Sequence, residues 1–223
     1  MTNPSSFEGD SYGGGLAETQ LTILHQLRLQ DAINPDRVAL TAPGRKSLTY
    51  SGLAARLEVG VQTLSRMGLG RGDRVAIVLP NGPEMALAFL TVASVATSAP
   101  LNPGYGEGEL DVYLTDIDAT ALMVQAGRGP SARTAARRLG LPIIELAPVP
   151  GAGAGVFELE MTGGSAPVPM TTAQPRDTAL VLHTSGTTSN PKIVPLTHRN
   201  VCTSAHTTSA VPSTSAPLTA AST

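Results

Sequence analysis

The run Arg74 to Pro80, RVAIVLP, leaves this chain few folds to choose from. Its apolar residues, Val75 to Leu79, are too few for a buried helix and show no alternation that would spare one face for water. A strand of this kind is buried on both sides, as in a parallel sheet covered by helices on both faces. Parallel strands cannot be joined by a tight hairpin, so crossover helices must flank it.

The neighbouring sequence has that form. Leu21 to Ile33 repeats apolar residues at helical spacing until Asn34-Pro35 stops it. Val38 to Thr41 and Ser47 to Tyr50 read as two short strands around the turn Pro43-Gly44-Arg45. Tyr50 to Gly68 is a helix with Leu53, Leu57, Val61 and Leu64 on one face. Pro83 to Thr97 is a nearly all-apolar helix with Pro at its first turn and Glu84 at its positive end. Ala99 to Leu101 reads as strand, Gly108 to Ile117 as helix and Ala119 to Gln125 as strand. Ser131 to Leu139 follows as a helix with Ser131 as expected N-cap, then Ile143 to Leu146 as strand. Residues 147 to 175, rich in Gly, Ala and Pro without period, read as a long surface loop. Thr178 to Leu182, TALVL, resumes the strands. The alternation predicts an α/β fold, a mainly parallel sheet with flanking helices joined by right-handed crossovers.

Thr178–Leu182 runs into HTSGTTSNPKIVPLTHRN, residues 183 to 200. A loop delivered there lies at the carboxyl end of a parallel strand, where open α/β sheets bind ligands. Gly186 lets backbone amides approach an anion, and Thr184, Ser185, Thr187 and Thr188 add short hydroxyl donors. Pro191 stiffens the approach to Lys192, a mobile point charge suited to phosphate. Of 15 basic residues only Lys46 and Lys192 are lysines, so the lysine stands out against an arginine background. A bland polar turn explains the hydroxyls but neither the lysine nor the strand delivery. These residues predict phosphate binding.

Other motifs are weaker. The segments beginning at Gly68, Gly104 and Gly151 each lack the third glycine of the dinucleotide fingerprint at its required spacing and read as turns or linker. Arg71-Gly72-Asp73 reads as the turn before strand 74–80. No Cys/His metal spacing, no G-x-S-x-G elbow and no Walker lysine followed by Ser or Thr occurs, so no metal ligand and no catalytic residue is assigned. The net charge of −2 gives no electrostatic reason to expect nucleic acid. The single Cys202 fits a reducing compartment. The first residues lack the basic start and apolar run of a signal peptide, and no stretch reaches the roughly 20 apolar residues of a membrane span. The expected location is the cytoplasm.

Thr184 to Lys192, TSGTTSNPK, resembles the T-S-G-T-T-G-x-P-K signature of the adenylate-forming superfamily of acyl-CoA synthetases, firefly-type luciferases and peptide-synthetase adenylation domains. Leu48 to Pro103 is similar to that family's first subdomain almost throughout, and the likeness covers about residues 20 to 202. Ser189 in place of glycine, with His183 before the loop and VPLTH after it, looks like the branch containing oxalate–CoA ligases. Ile193 stands where glycine often follows the lysine. The resemblance implies an incomplete first subdomain of the adenylate-forming fold. It further implies an ATP-dependent acid–CoA ligase: a small carboxylic or fatty acid and ATP give an acyl-adenylate, then CoA takes the acyl group. Thr184, Ser185, Gly186, Thr187, Thr188 and Lys192 would serve the pyrophosphate end of ATP, with Mg²⁺ nearby. The alternatives are a catalytically silent nucleotide-binding or interaction fragment and a different adenylating enzyme.

Residues 1–18 are expected to be disordered, 19–206 to form a partial AMP-binding domain, and 207–223 to be a low-complexity tail. A shifted reading frame across Val211 to Thr223 is compatible with LDLSPADRCLN, a string like that which relatives carry after this helix. The tail is therefore expected to be out of frame, and this chain alone to lack acyl-CoA formation.

Overall fold

The computed structural model describes residues 21–184 and 192–209. Nine strands and six helices follow one another there: α1 (Ile23–Ile33), β1 (Val38–Leu40), β2 (Leu48–Thr49), α2 (Tyr50–Arg66), β3 (Arg74–Val78), α3 (Pro83–Ala93), β4 (Thr97–Pro100), α4 (Glu107–Asp116), β5 (Ala121–Gln125), α5 (Pro130–Arg138), β6 (Ile143–Pro148), β7 (Phe157–Thr162), β8 (Thr178–Thr184), β9 (Lys192–Thr197) and α6 (His198–Ser209). β1 and β2 form a small antiparallel pair, and the rest form one sheet in the order β7-β6-β5-β3-β4-β8-β9. The inner strands β6, β5, β3, β4 and β8 are mutually parallel, while β7 and β9 close the two edges antiparallel.

β3 is buried on both faces, as its sequence demands. Val75 and Ile77 join Val61 and Leu64 of α2 and Ala88 and Val92 of α3 on one face. Ala76 and Val78 join Leu110 and Leu114 of α4 and Ala132, Ala135 and Ala136 of α5 on the other. α1 packs outside α2 and α3 through Leu24, beside Leu57 and Leu87. The alternation of strand side chains thus feeds two cores from one strand.

Local signals set the helix starts. The Thr22 hydroxyl accepts from the His25 N–H and caps α1; the Thr49 hydroxyl accepts from the Gly52 N–H and caps α2. α5 begins earlier than expected. Gly129, left-handed at φ 68°, precedes Pro130 at the first helical position, so Ser131 lies inside the helix and is not its cap. α3 ends at Ala93, short of the expected Thr97, because the chain turns at Ser94 and Thr97 is already in β4.

The expected loop 147–175 holds a strand. β7, FELEMT, pairs with β6 through six positions. Phe157, Leu159 and Met161 pack on the sheet's core and alternate with the more exposed Glu158, Glu160 and Thr162. The period of two was masked by Gly, Ala and Pro on either side. Residues 163–175 contain no regular element. They run from one sheet edge toward the other past the ends of α2 and α3, with Val168 N–H donating to the Ser65 carbonyl and Ala173 N–H to that of Ser94. The tail expected from 207 begins as helix, since α6 extends to Ser209; 1–18 and 210–223 lie outside the described residues.

The start of β8 is fastened from several directions. Arg71, in the turn before β3, grips Asp177 with Nε at 2.7 Å and Nη2 at 2.9 Å. This guanidinium holds the Asp177 carboxyl below its usual range. The Asp177 carbonyl accepts from the His198 N–H, and the Thr97 hydroxyl donates to the Thr178 carbonyl. His198 opens α6 and is wholly buried, with Nδ1 accepting from the Ile23 N–H at 3.2 Å. One imidazole therefore joins the first helix to the last.

Two outcomes follow from this packing. A Cβ on Gly60 of α2 would stand 2.4 Å from Thr91 Cγ2 of α3. Gly60→Val should destabilise the chain by about 2 kcal/mol, and adding Thr91→Ser, which removes that methyl, should recover part of the loss. Denaturant midpoints that do not move would exclude so close a helix contact. Burial holds His198 below the ordinary imidazole range, with the Asp177 carboxylate pulling the other way. A depressed folded value means that the unfolded chain takes the proton more readily. Stability present above about pH 6.5 is then lost as pH falls through the folded value. Thermal midpoints should drop on the acid side of neutrality, and less so for His198→Asn, whose amide oxygen can accept from Ile23; equal slopes would place the acid sensitivity elsewhere.

Candidate functional site

β8 is the last parallel strand of the sheet, and its carboxyl end emits the Ser/Thr/Gly-rich segment. β9 returns antiparallel beside it, pairing Val181 with Pro195, Leu182 with Val194, His183 with Ile193 and Thr184 with Lys192. The segment is thus the connection of a β hairpin, closed at its mouth by Thr184 opposite Lys192. The fold therefore brings together the two ends of the candidate set, Thr184 and Lys192, although eight positions separate them. Ser185, Gly186, Thr187 and Thr188 lie outside the described residues. Lys192 is exposed, as a cation that meets solvent-borne anions must be.

Three aromatic rings line the same end of the sheet. The His183 ring meets that of Tyr113 at 4.5 Å between centroids and 64° between planes. Tyr113, on α4, stacks on Tyr105 at 4.7 Å and 29°. The phenol of Tyr113 is pushed above its usual range, first by its hydrogen bond with Tyr105. Tyr105 follows a turn in which the Gly104 N–H donates to Asn102 Oδ1 at 2.9 Å and the Tyr105 N–H to the Asn102 carbonyl. His183 Nε2 is buried without a hydrogen-bond partner among the described residues. Desolvation holds this imidazole below its ordinary range, opposed by the Asp116 carboxylate, so the neutral ring predominates near neutrality.

Sequence reading noted His183 as a departure from a pattern but missed Tyr105 and Tyr113. A signal was present, since the chain has four tyrosines and two of them lie in the short stretch after β4. The weak motifs resolve as turns. Asp73 Oδ2 accepts from the Gly70 N–H at 2.8 Å and shapes the Arg71-Gly72-Asp73 turn. Gly155, at φ 79°, is packed so that a Cβ would lie 2.8 Å from the Pro83 carbonyl. No group of three His, Cys, Asp or Glu side chains suited to a metal gathers among the described residues, and no helix among them is long and apolar enough to cross a membrane.

The arrangement can hold an anion at a strand end, where a cation-bearing residue pairs with a hydroxyl-bearing one at the mouth of a hairpin. Known proteins share the fold. The chain is similar to the crystal structure of apo MatB from Rhodopseudomonas palustris, with TM-score 0.66 and 25% identity over 84% of this chain and 36% of that one. It shares its fold with a long-chain-fatty-acid–CoA ligase from Archaeoglobus fulgidus, with TM-score 0.69 and 20% identity over 92% of this chain and 42% of that one. In sequence it is 37% identical to oxalate–CoA ligase of Arabidopsis thaliana over 182 residues, 79% of this chain and 35% of that protein. It is 35% identical to a probable CoA ligase of Humulus lupulus over 189 residues, 82% of this chain and 36% of that protein. The chain spans about a third of the length of these curated relatives. Residues 27–221 match the family described as AMP-binding enzyme, and the chain belongs to that family.

Proposed function

We propose that this chain is part of an ATP-dependent acid–CoA ligase and carries its nucleotide-phosphate loop. The observation behind the proposal is the hairpin mouth at the carboxyl end of β8, with Thr184 opposite Lys192 in a member of the AMP-binding enzyme family. An exposed ammonium beside hydroxyl-bearing residues and a glycine suits the pyrophosphate end of ATP. The residues present therefore fit a polyphosphate. In the reaction a carboxylate oxygen attacks the α-phosphorus and pyrophosphate departs with the electrons of the broken P–O bond. The CoA thiol, losing its proton, then attacks the acyl carbon and releases AMP.

On this reading Thr184, Ser185, Gly186, Thr187, Thr188 and Lys192 bind and orient the β- and γ-phosphates, and none acts as acid, base or nucleophile. Their contribution is charge stabilisation with the carboxylate held in line. Mg²⁺ arrives with the nucleotide. The acid is a small carboxylate of the kind that the oxalate–CoA ligase relative is named for, or a fatty acid. A reducing cytoplasm suits the buried thiol of Cys202, which burial pushes above its usual range. The 223 residues alone are read as holding the nucleotide's phosphates without turning over.

Lys192→Ala is the direct test. In a protein that carries this segment and is active, it should lower ATP-dependent pyrophosphate exchange by about 10- to 100-fold, the loss of one charge-assisted contact to phosphate. Exchange at the wild-type rate would reject the assignment of Lys192. AMP release by the isolated 223 residues, assayed with ATP, CoA, oxalate and fatty acids, should stay at background; sustained AMP production in proportion to protein would show that this segment suffices.

A further inference from the structure

The strand that carries Thr184 is fastened unevenly to the sheet. β3 with β4, β3 with β5 and β5 with β6 each pair through four positions, whereas β4 and β8 share the pair Ser98–Leu180. Beyond Leu180 the paired positions of β8 lie on its β9 side. Its exit from the sheet therefore meets the body of the domain through side chains. Val181 enters the core formed with Leu110 and Leu114 of α4. Two residues on, the same side of the strand presents His183, whose ring rests on Tyr113 of α4, and Tyr113 rests on Tyr105. Tyr105 is in turn fixed by the Asn102 turn at the exit of β4. The rings thus join the exit of β8 to α4 and to the turn after β4.

We propose that His183 is a positioning residue: its ring, braced by Tyr113 and Tyr105, sets where the β8–β9 hairpin presents Thr184 and Lys192. The phosphate part of this inference rests on the reading of the hairpin given above; the brace itself does not. His183 stands one rung inside the Thr184–Lys192 pair, so displacement of its ring moves both strands of the mouth. The brace is one of ring packing. Nε2 makes no hydrogen bond among the described residues, and another flat ring should replace the imidazole.

Hydrogen–deuterium exchange of the 223-residue chain tests this without requiring activity. His183→Ala should speed amide exchange at 181–184 and 192–194 by about two- to tenfold, the loss of one aromatic contact. Exchange at 75–78 in β3 should not change, and His183→Phe should return the hairpin to within about twofold of wild type. Adding Tyr113→Ala to His183→Ala should leave the hairpin no faster than His183→Ala alone. Hairpin exchange that His183→Ala leaves unchanged, a rise shared equally with 75–78, or failure of His183→Phe to restore it overturns the proposal. ATP·Mg²⁺ added to the wild-type chain gives a separate readout. Lack of protection at 192–194 there, with the His183→Ala response intact, retains the brace and counts against the nucleotide reading.

Discussion

β3 has no side facing water, and the rest of the architecture answers to that. Its four buried residues supply both cores, so helices must cover both faces, and its neighbours β4 and β5 must run parallel to it. Parallel neighbours force every connection through a crossover that brings the chain back to the same end of the sheet. The carboxyl ends of the parallel strands then gather on one side. The exits of β4 and β8 adjoin because of this requirement, and with them Tyr105 and His183, which are 78 positions apart in sequence.

A parallel sheet also has edges to settle, and here both are closed by an antiparallel strand of different character. β7 turns alternate residues inward and leaves Glu158 and Glu160 outward, where charge discourages further pairing. β9 carries Pro195, which lacks an N–H and interrupts any ladder beyond it. The β8–β9 hairpin nonetheless leaves Leu182 and Ile193 each 40% exposed near its mouth. The hairpin is therefore the part of the sheet least committed to the core.

How far the sequence shows this depends on how local each signal is. Helical spacing located α2 and α4, and continuous apolar runs located β3 and β5, to within a few residues because burial of one stripe or one run decides each element by itself. Ser131 was misread as a cap because Pro130 fits only the first helical turn, and the left-handed Gly129 before it is a backbone property that letters do not display. β7 was hidden because its flanks look like linker, although its own alternation is plain once it is placed beside β6. Within the candidate site, strand delivery and the isolated lysine were legible, and so was the resemblance. That Thr184 and Lys192 face each other was not, since it depends on register between strands. The aromatic stack was not legible either, because it joins a turn, a helix and a strand that only the sheet brings together.

The two ends of β8 are fastened by different kinds of contact. At its start, a bidentate Arg71–Asp177 pair, the Thr97–Thr178 bond and the His198 N–H donating to the Asp177 carbonyl hold the strand from three directions. Much of this is directional hydrogen bonding, some of it buried, and it tolerates little displacement. At its end the fastening is ring against ring, where the energy changes slowly with sliding and tilting. The root fixes where the hairpin leaves the sheet, while its tip is held by the β9 ladder and by the packing of the His183 ring. If the hairpin binds an anion as proposed, its mouth favours lysine over the arginines used elsewhere in the chain. An ammonium on a flexible stem keeps its attraction through small displacements, whereas a guanidinium fork works best at one angle. On the proposed reading, the ring-packed strand end and the choice of Lys192 both serve one requirement, presenting a cation to an anion at the mouth of the hairpin.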